Sequence, residues 1–349
     1  MHVTERLDGY QRRHRWAGFP LAVAYKFFED QGVYLAALIT FYGFLSLFPM
    51  LLLLASGLGF LLQNDPDLQQ RVLDSTLRQF PIIGDELSGG QSLRGSGVAL
   101  VIGGLVALYG ALGVAQALQN AMNIAWSVPR NRRPNPLKAR LRSLLLVGTA
   151  GIAVIATTTL SARGGSAGAN GAVFAGWIAL LVTAAALILN TGVFIVTFRI
   201  STAFELSVRD VAPGAISAAV IWQLLQLFGT AYVAHVVQGA SNTYGVFAVV
   251  LGLLAWIFLA ALGVVLSVEV NVVRAKRLFP RALLTPFTDN VDLTHADQRA
   301  YTDAANAQRH KGFQSVDVTF DHEGQNASAR RRANESSSNE RDIVREDDV

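Results

Sequence analysis

The sequence predicts an all-α, polytopic membrane protein with six transmembrane helices and both termini in the cytoplasm. Of its 349 residues, 52% are hydrophobic and only 15% are charged, whereas roughly a quarter of the residues of a soluble domain are charged. The charges fall into a few blocks that are separated by long charge-free runs. One such run, 33–62, would form a helix roughly 45 Å long, which is more than enough to cross a hydrocarbon core about 30 Å thick.

The first element is a basic N-terminal segment, residues 1–32. Its apolar residues recur at helical spacing around Pro20, from Trp16 to Phe28, which predicts an amphipathic helix at the membrane surface. An ordinary basic flank with an aromatic anchor explains the same residues and stays open as the alternative. No apolar signal-peptide core precedes residue 33, so we expect the first span itself to direct insertion.

Six apolar segments within residues 33–280 are interpreted as the membrane domain. The loop after the first segment, 63–97, is rich in acidic residues and predicts an external position with a further amphipathic helix. Residues 211–268 contain no Asp, Glu, Lys or Arg, and they are long enough for two spans joined by a short external hairpin. The predicted spans are about 36–62, 98–118, 143–162, 172–198, 213–236 and 246–269.

The distribution of Lys and Arg gives the predicted orientation. In the six-span arrangement, 25 of the 29 basic residues lie on the side of the two termini, six of them in the loop after the second span. Loops with such an excess of positive charge face the cytoplasm. The polar tail, 285–349, is expected to be a disordered cytoplasmic segment because its composition cannot bury a core.

Three residues of the first span are candidate cavity residues. Tyr42, Ser46 and Pro49 follow the spacing i, i+4, i+7 and therefore share one helix face. Pro49 removes a backbone hydrogen bond to the carbonyl of Leu45 and is expected to kink or unwind the helix. We interpret Pro49 as a structural determinant of a cavity, not as a site of chemistry. A stripe of small residues on the second span would let another helix approach closely: Gly103, Ala107, Ala111 and Ala115.

Other candidate cavity residues are polar side chains inside or beside the predicted spans. Gln223 and Gln226 share one face of the fifth span, and Asn123 lies near the inner end of the second. Because an amide is costly to leave unpaired in hydrocarbon, each of these residues faces the bundle or a wet cavity. Both interpretations stay open: hydrogen bonds between helices, or the lining of a substrate path.

Glu269 is the acidic residue closest to lipid depth. Its charge opposes the dipole at the C-terminus of the sixth span, so it needs a compensating cation or an interfacial position. A structural ion pair and a proton- or substrate-coupled carboxylate are both open. The candidate cations on the cytoplasmic side are Arg199, Arg209 and Arg274.

The residues disfavour catalysis and cofactor chemistry. The chain has no Cys, which excludes disulfides and thiolate metal sites, and its six His are scattered over the N-terminus, one loop and the tail. No metal-ligand spacing and no phosphate-binding loop occurs. We therefore expect no catalytic residue, no metal, no cofactor and no nucleic-acid partner, since the basic residues are explained by cytoplasmic loops.

Several stretches resemble the YihY/virulence factor BrkB family. The first span, ALITFYGFLSLFPMLLLL, is similar to the aromatic-Ser-Leu-Phe-Pro signature of that family. The resemblance covers about 15–280, and the length and tail are similar to the YhjD-like branch. The other matching stretches are Asn120–Trp126, Val208–Gly214 and Tyr244–Gly245 leading to Trp256.

The resemblance implies a bacterial inner-membrane protein of six helices that is associated with the cell envelope. The family ends its sixth span with Gly-Ala-acidic-apolar-Asn; here Glu269 and Asn271 match, whereas Ser267 and Val268 replace the Gly and Ala. This replacement argues against very close backbone contact at those two positions. An older family label, ribonuclease BN, is disfavoured because the chain lacks the clustered acids and histidines of a nuclease.

The leading hypothesis is an inner-membrane protein that transports or laterally handles a lipid or other amphiphile, so that membrane lipids are its expected partners. The alternative is a membrane scaffold that recruits envelope proteins through its tail or loops. The oligomeric state cannot be predicted from these residues.

Overall fold

The computed structural model describes residues 8–9, 11, 13–61, 97–166, 172–232, 246–283, 285 and 291–320. Within them the chain forms α-helices and one turn of 3₁₀-helix, Arg130–Arg132, and no strand. The all-α prediction is confirmed. The helices of the described chain are α1 (Arg15–Glu29), α2 (Gly32–Leu61), α3 (Gly97–Ala125), α4 (Pro136–Ser166), α5 (Ala172–Ser201), α6 (Val208–Tyr232), α7 (Val246–Lys276) and α8 (His295–Ala307).

The long helices α2 to α7 coincide with the six apolar segments of the sequence. They have 25 to 31 residues and are therefore about 38–46 Å long. The apolar part of α2 with described side chains, Gly32–Leu47, is shorter than a span. Four stretches of the described chain are long and apolar enough to cross a membrane: Gly103–Ala125, Leu180–Ser201, Val208–Gly229 and Val250–Lys276.

The helices α3 and α7 end with the same backbone motif. Ser127 after α3 and Arg277 after α7 adopt left-handed φ angles of 52° and 54°. The next N–H then reaches back, from Val128 to the carbonyl of Asn123 at 2.8 Å and from Leu278 to that of Val273 at 2.9 Å. This is the Schellman motif, in which glycine is the usual left-handed residue. No glycine marks either helix end in the sequence.

The described residues divide into two compact units. The smaller contains Met1–Tyr25, Pro129–Asn131 and Val273–Val349, and the larger contains Lys26–Val128 and Arg132–Val272. In the larger unit, α2 packs along α3, α3 contacts α4 and α5, α4 packs on α5, and α5 packs on α6. The helix α7 contacts α6, where Ile221 lies against Gly263, and contacts α2, where Ile257 lies against Gly43.

The helices α2 and α3 approach each other most closely at two glycines. A Cβ at Gly113 would overlap the ring of Tyr42, and one at Gly110 would lie 2.5 Å from the Cβ of Ser46. Small residues allow such a crossing because they remove the side chain from the contact. The contact thus lies beside the predicted stripe, of which Ala107 and Ala115 are buried. The Tyr42–Ser46 face of α2 therefore packs against α3.

The helix α2 continues through Pro49. Its backbone is helical from Gly32 to Leu61, so Pro49 does not unwind the helix, and the kink that was expected as the other outcome stays a prediction. The side chain of Pro49 lies outside the described residues. The same holds for the amphipathic helix predicted in 63–97 and for the external hairpin predicted between the fifth and sixth spans.

The first part of the polar tail is folded, which corrects the prediction of disorder from 285 onward. The helix α8 begins with a capping box in which Thr294 and Asp297 exchange hydrogen bonds. Asp297 is fully buried, forms an ion pair of 2.5 Å with Arg281, and accepts a hydrogen bond of 3.0 Å from the N–H of Ala282. Composition missed this structure because a buried ion pair, not a run of apolar residues, organises it. Residues 321–349 lie outside the described part.

The N-terminal part of the chain joins the same smaller unit. Asp8 accepts a hydrogen bond of 3.1 Å from the N–H of Leu283, and Gln11 donates one to the carbonyl of Arg281. Tyr25 donates its hydroxyl proton to the carbonyl of Leu283. A helix before the first span was predicted, and α1 is that helix; its position at a membrane surface stays a prediction.

Candidate functional site

A cavity of about 440 Å³ lies in the larger unit between α2, α3 and the start of α4. One face of α3 supplies most of its lining, from Tyr109 at one end to Asn123 at the other. These two residues are 14 positions apart, or about 21 Å along the helix axis. Of the predicted cavity residues, Tyr42 and Asn123 line it, which leaves their functional role to be tested.

One end of the cavity is polar. Its lining there consists of amide residues and two arginines: Gln116, Gln119, Asn120, Asn123, Arg133 and Arg140. No acidic side chain belongs to the described lining. This end therefore offers hydrogen-bond donors and positive charge to whatever occupies it.

The helices hold these amides in place. Gln119 donates from its Nε2 to the hydroxyl of Ser143 at 2.8 Å and to the carbonyl of Ala139 at 3.3 Å. Asn123 accepts a hydrogen bond of 3.0 Å from the N–H of Ala203, which ties α3 to the chain that follows α5. The Oε1 of Gln119 is buried and has no hydrogen-bond partner among the described residues.

The other end of the cavity is apolar and aromatic. Leu38 and Tyr42 of α2 face Tyr109 and Leu112 of α3 across it. The rings of Tyr42 and Tyr109 meet edge to face, with centroids 6.4 Å apart and planes at 66°, which is a favourable aromatic geometry. The two ends together can hold a molecule that has an acidic or hydrogen-bonding head and an apolar tail.

The comparison with protein families agrees with the resemblance seen in the sequence. A family model described as virulence factor BrkB matches residues 23–289, which include α2 to α7 and the whole cavity lining. The chain belongs to the virulence factor BrkB family. With its apolar helices, it is a multi-pass membrane protein.

Among curated proteins, this BrkB-family chain is similar to the ribonuclease-like protein YfkH of Bacillus subtilis (strain 168). The two are 27% identical over 190 residues, which cover 52% of this chain and 68% of YfkH. At this identity the name of YfkH carries no reaction over to the present chain. No solved structure matches the chain.

A group of charged side chains lies around Glu269 in the larger unit of this BrkB-family chain. Glu269 is fully buried, no hydrogen-bond donor among the described residues reaches its carboxylate oxygens, and its carboxyl group lies against that of Asp30. The cation that acts on it is Lys26 of α1, not one of the three arginines expected from the sequence. Lys26 is 4% exposed, and its ammonium is bonded to Asp30.

The charges near Lys26 and Asp30 shift the pKa values of both groups. Burial alone would lower the pKa of the Lys26 ammonium, but the carboxyl groups of Glu269 and Asp30 outweigh burial and raise that pKa. Burial raises the pKa of the Asp30 carboxyl, and the Lys26 ammonium opposes that shift only in part. The sequence assigned Lys26 to a basic flank, because Glu269, whose carboxyl acts on it, is 243 positions away.

Asn271, one turn beyond Ser267, has a different role from Glu269. Its Oδ1 accepts a hydrogen bond of 2.6 Å from the N–H of Gly214 at the start of α6. Its Nδ2 is buried and has no hydrogen-bond partner among the described residues. Asn271 therefore joins two helices and does not face the cavity.

The remaining candidates from the sequence are separate from both groups. Ser46 is buried and donates a hydrogen bond of 3.0 Å to the carbonyl of Gly43 in its own helix. Gln223 and Gln226 are half-buried on α6 and do not belong to the described lining of the cavity. Sequence reasoning missed Arg140 and Gln116 as lining residues, although a basic loop that follows an amide-rich helix end is visible in the sequence.

Proposed function

We propose that this BrkB-family protein is a bacterial inner-membrane protein that crosses the membrane six times, with both termini in the cytoplasm. Six long helices of sufficient length support this arrangement. The loop after α3 and the first turns of α4 carry six basic residues, and Leu137 and Leu141 beside them are 80% and 60% exposed. Such a surface suits the contact with the anionic cytoplasmic leaflet.

Within that membrane, the protein binds an amphiphile with a negatively charged head group and handles it laterally or across the bilayer. The observation that carries this proposal is the two-ended cavity. Its polar end has Arg133 and Arg140, and its other end has Leu38, Tyr42 and Tyr109. An anionic head group would pair with the arginines while its apolar tail stays among side chains that resemble hydrocarbon.

The amide side chains add selectivity to this charge. Gln116, Asn120 and Asn123 offer donors and acceptors that a phosphate or sugar head group can use. A purely apolar ligand would leave these groups unsatisfied and is therefore disfavoured.

The test measures lipid retention by the purified full-length protein. Nanodiscs contain either phosphatidylcholine alone or phosphatidylcholine with phosphatidylglycerol, and the bound lipid is counted by native mass spectrometry. We expect preferential retention of phosphatidylglycerol by the wild type. Arg140→Gln should weaken it by about 5–30-fold, which corresponds to about 1–2 kcal/mol for a charge-assisted hydrogen bond.

Lys138→Gln is the matched control, because Lys138 is an exposed cation two positions away that does not line the cavity. It should retain the wild-type preference. Equal weakening by both substitutions would show that the surface charge attracts the lipid and would overturn the cavity site.

In proteoliposomes, background-level flip of phosphatidylglycerol by the wild type, Gln226→Leu and Glu269→Gln alike would reject translocation and leave binding as the function.

A second candidate function is a scaffold that recruits envelope proteins. The observation in its favour is Phe313, which follows α8 and is 91% exposed. A large apolar side chain at such exposure is suited to a protein contact. This function predicts that Phe313→Ser abolishes activity in cells while Arg140→Gln is silent, and the lipid-binding function predicts the reverse.

A further inference from the structure

Lys26, Asp30 and Glu269 form a buried charged group that the cavity does not use. Their side chains belong to α1, to the turn after it and to α7, and none of them lines the cavity. Three charged side chains act on the Glu269 carboxyl: Lys26, Asp30 and, more weakly, Glu29. The Lys26 ammonium is bonded to Asp30, which leaves Glu269 without a hydrogen-bonded cation among the described residues.

When both carboxyl groups are ionised, the group carries one negative charge in excess. Lys26 and Asp30 form a neutral pair, so an ionised Glu269 would be an unpaired charge at 0% exposure. Isolated buried charges are so unfavourable that the group takes up a proton instead. A neutral, protonated Glu269 would remove this excess negative charge.

The Lys26–Asp30 pair lies at the end of α1, in the turn that joins it to α2. Asp30 donates its N–H to the carbonyl of Lys26 at 3.0 Å, and Gln31 then adopts a left-handed φ of 57°. At the next residue, a Cβ on Gly32 would overlap the ring of Phe27. We call residues 29–32 the elbow. The geometry of the elbow depends on the Lys26–Asp30 ion pair, on the left-handed Gln31 and on Gly32, where the ring of Phe27 leaves no room for a Cβ.

Loss of the proton from Glu269 would change which carboxylate Lys26 binds. The side chain of Asp30 is 15% exposed and can be hydrated without its cation, whereas that of Glu269 is fully buried and cannot. The favourable partner of Lys26 after proton release is therefore Glu269. Asp30 then loses its cation, and the ion pair at the elbow is broken.

We propose that Glu269 is a proton-binding site of the protein and that its proton controls the elbow between α1 and the first span through exchange of Lys26 between Asp30 and Glu269. In the acid form, Glu269 is protonated and Lys26 is paired with Asp30. In the alkaline form, one proton has passed from the Glu269 carboxyl to solvent, and Lys26 is paired with Glu269. This proposal does not depend on which amphiphile the protein handles.

The first measurement detects the proton itself. Infrared difference spectra of the full-length protein in nanodiscs, between about pH 4 and about pH 10, should show the carbonyl band of one buried carboxylic acid disappear on alkalinisation. Glu269→Gln should lack this band, and so should Asp30→Asn, because Lys26 is then paired with Glu269 throughout. Lys26→Met should keep the band, because removal of the ammonium leaves the buried Glu269 carboxyl without a cation.

The second measurement detects the elbow. The chain has no Cys, so Phe28→Cys and Phe41→Cys introduce the only thiols, at positions that are 69% and 60% exposed on either side of the bend. The distance distribution between spin labels at these positions should change with pH in the wild type. Glu269→Gln should keep the acid distribution at every pH, and Asp30→Asn should keep the alkaline one.

Glu205→Gln is the control, because Glu205 is an exposed carboxylate that precedes α6. In this variant the carboxylic-acid band should disappear over the same pH range as in the wild type. A wild-type spectrum without a buried carboxylic acid would overturn the proton site. A band that is lost in Glu269→Gln while the spin-label distances stay independent of pH would overturn the control of the elbow.

Discussion

The side chain of Asn271 and the backbone of Gly214 join α7 to α6 through a buried hydrogen bond of 2.6 Å. The two helices are so close here that a Cβ on Gly214 would overlap the carbonyl oxygen of Ser267. The family pattern has Gly and Ala where this chain has Ser267 and Val268, and the sequence therefore argued against close contact. The glycine of the opposite helix provides the space instead.

Gly214→Ala should destabilise the protein because its methyl group would overlap Ser267 and displace Asn271. Overpacking of a tight contact costs about 1–3 kcal/mol, so we expect a lower thermal midpoint in detergent, followed by tryptophan fluorescence. Gly148→Ala is the control, since a Cβ at Gly148 meets no atom within 4 Å. Equal midpoints for the two variants would contradict the close contact.

Gln119 and Ser143 should be energetically coupled because they share a hydrogen bond of 2.8 Å between α3 and α4. A double-mutant cycle with Gln119→Leu and Ser143→Ala, measured by unfolding in mixed micelles, should give a coupling free energy of about 0.6–1.7 kcal/mol, as for other hydrogen bonds between membrane helices. Additive effects of the two substitutions would mean that the hydrogen bond does not contribute.

Asp297→Asn should release α8, because it leaves the guanidinium of Arg281 buried without its counter-ion. Removal of one partner of a buried pair costs about 3–5 kcal/mol. Limited proteolysis after Lys or Arg residues in 295–311 should therefore become much faster. Asp303→Asn breaks the more exposed pair with Lys276, 2.8 Å long, and should have little effect, since such pairs contribute about 0–1 kcal/mol. Equal proteolysis of both variants would contradict the role of the buried pair.

Tyr25 should make the smaller unit sensitive to alkaline pH. Burial raises the pKa of its phenol above the ordinary value of 10.0, although Arg281 opposes this shift. The folded state then binds the proton more tightly than the unfolded state, so this contribution to stability is complete below about pH 10 and is lost as the pH rises through the folded pKa. Tyr25→Phe, which cannot ionise, should lose less stability between about pH 9 and pH 11, measured by proteolysis of the segment after α7. Identical pH profiles would contradict the shift.

Helix positions followed from the sequence because hydrophobic length is a local property. The runs from Val33 and from Val246 are apolar for more than 20 residues, and such runs become helices in lipid because every backbone group must be paired internally. The ends were harder to predict. Ser127 and Arg277 stop their helices in left-handed conformations that the sequence does not signal, because bonds to residues five positions back select them.

The candidate site was only partly visible in the sequence. Tyr42 and Asn123, which were proposed as cavity residues because each is a polar group on an apolar helix, line the cavity. Arg140 was counted as a loop charge, and Lys26 as part of a basic flank. Nothing local distinguishes a charge in solvent from one that lines a cavity or is buried between helices.

The sequence by itself determined that this chain is all-α, that it is a multi-pass membrane protein and that it belongs to the BrkB family, because composition, hydrophobic length and short motifs are carried by neighbouring residues. Only the tertiary structure decided which cation acts on Glu269, that Gly214 and Asn271 lock two helices together, and that part of the polar tail folds around Asp297. Each of these depends on pairs far apart in the chain. Their contribution comes from burial, and burial is a property of the packed molecule.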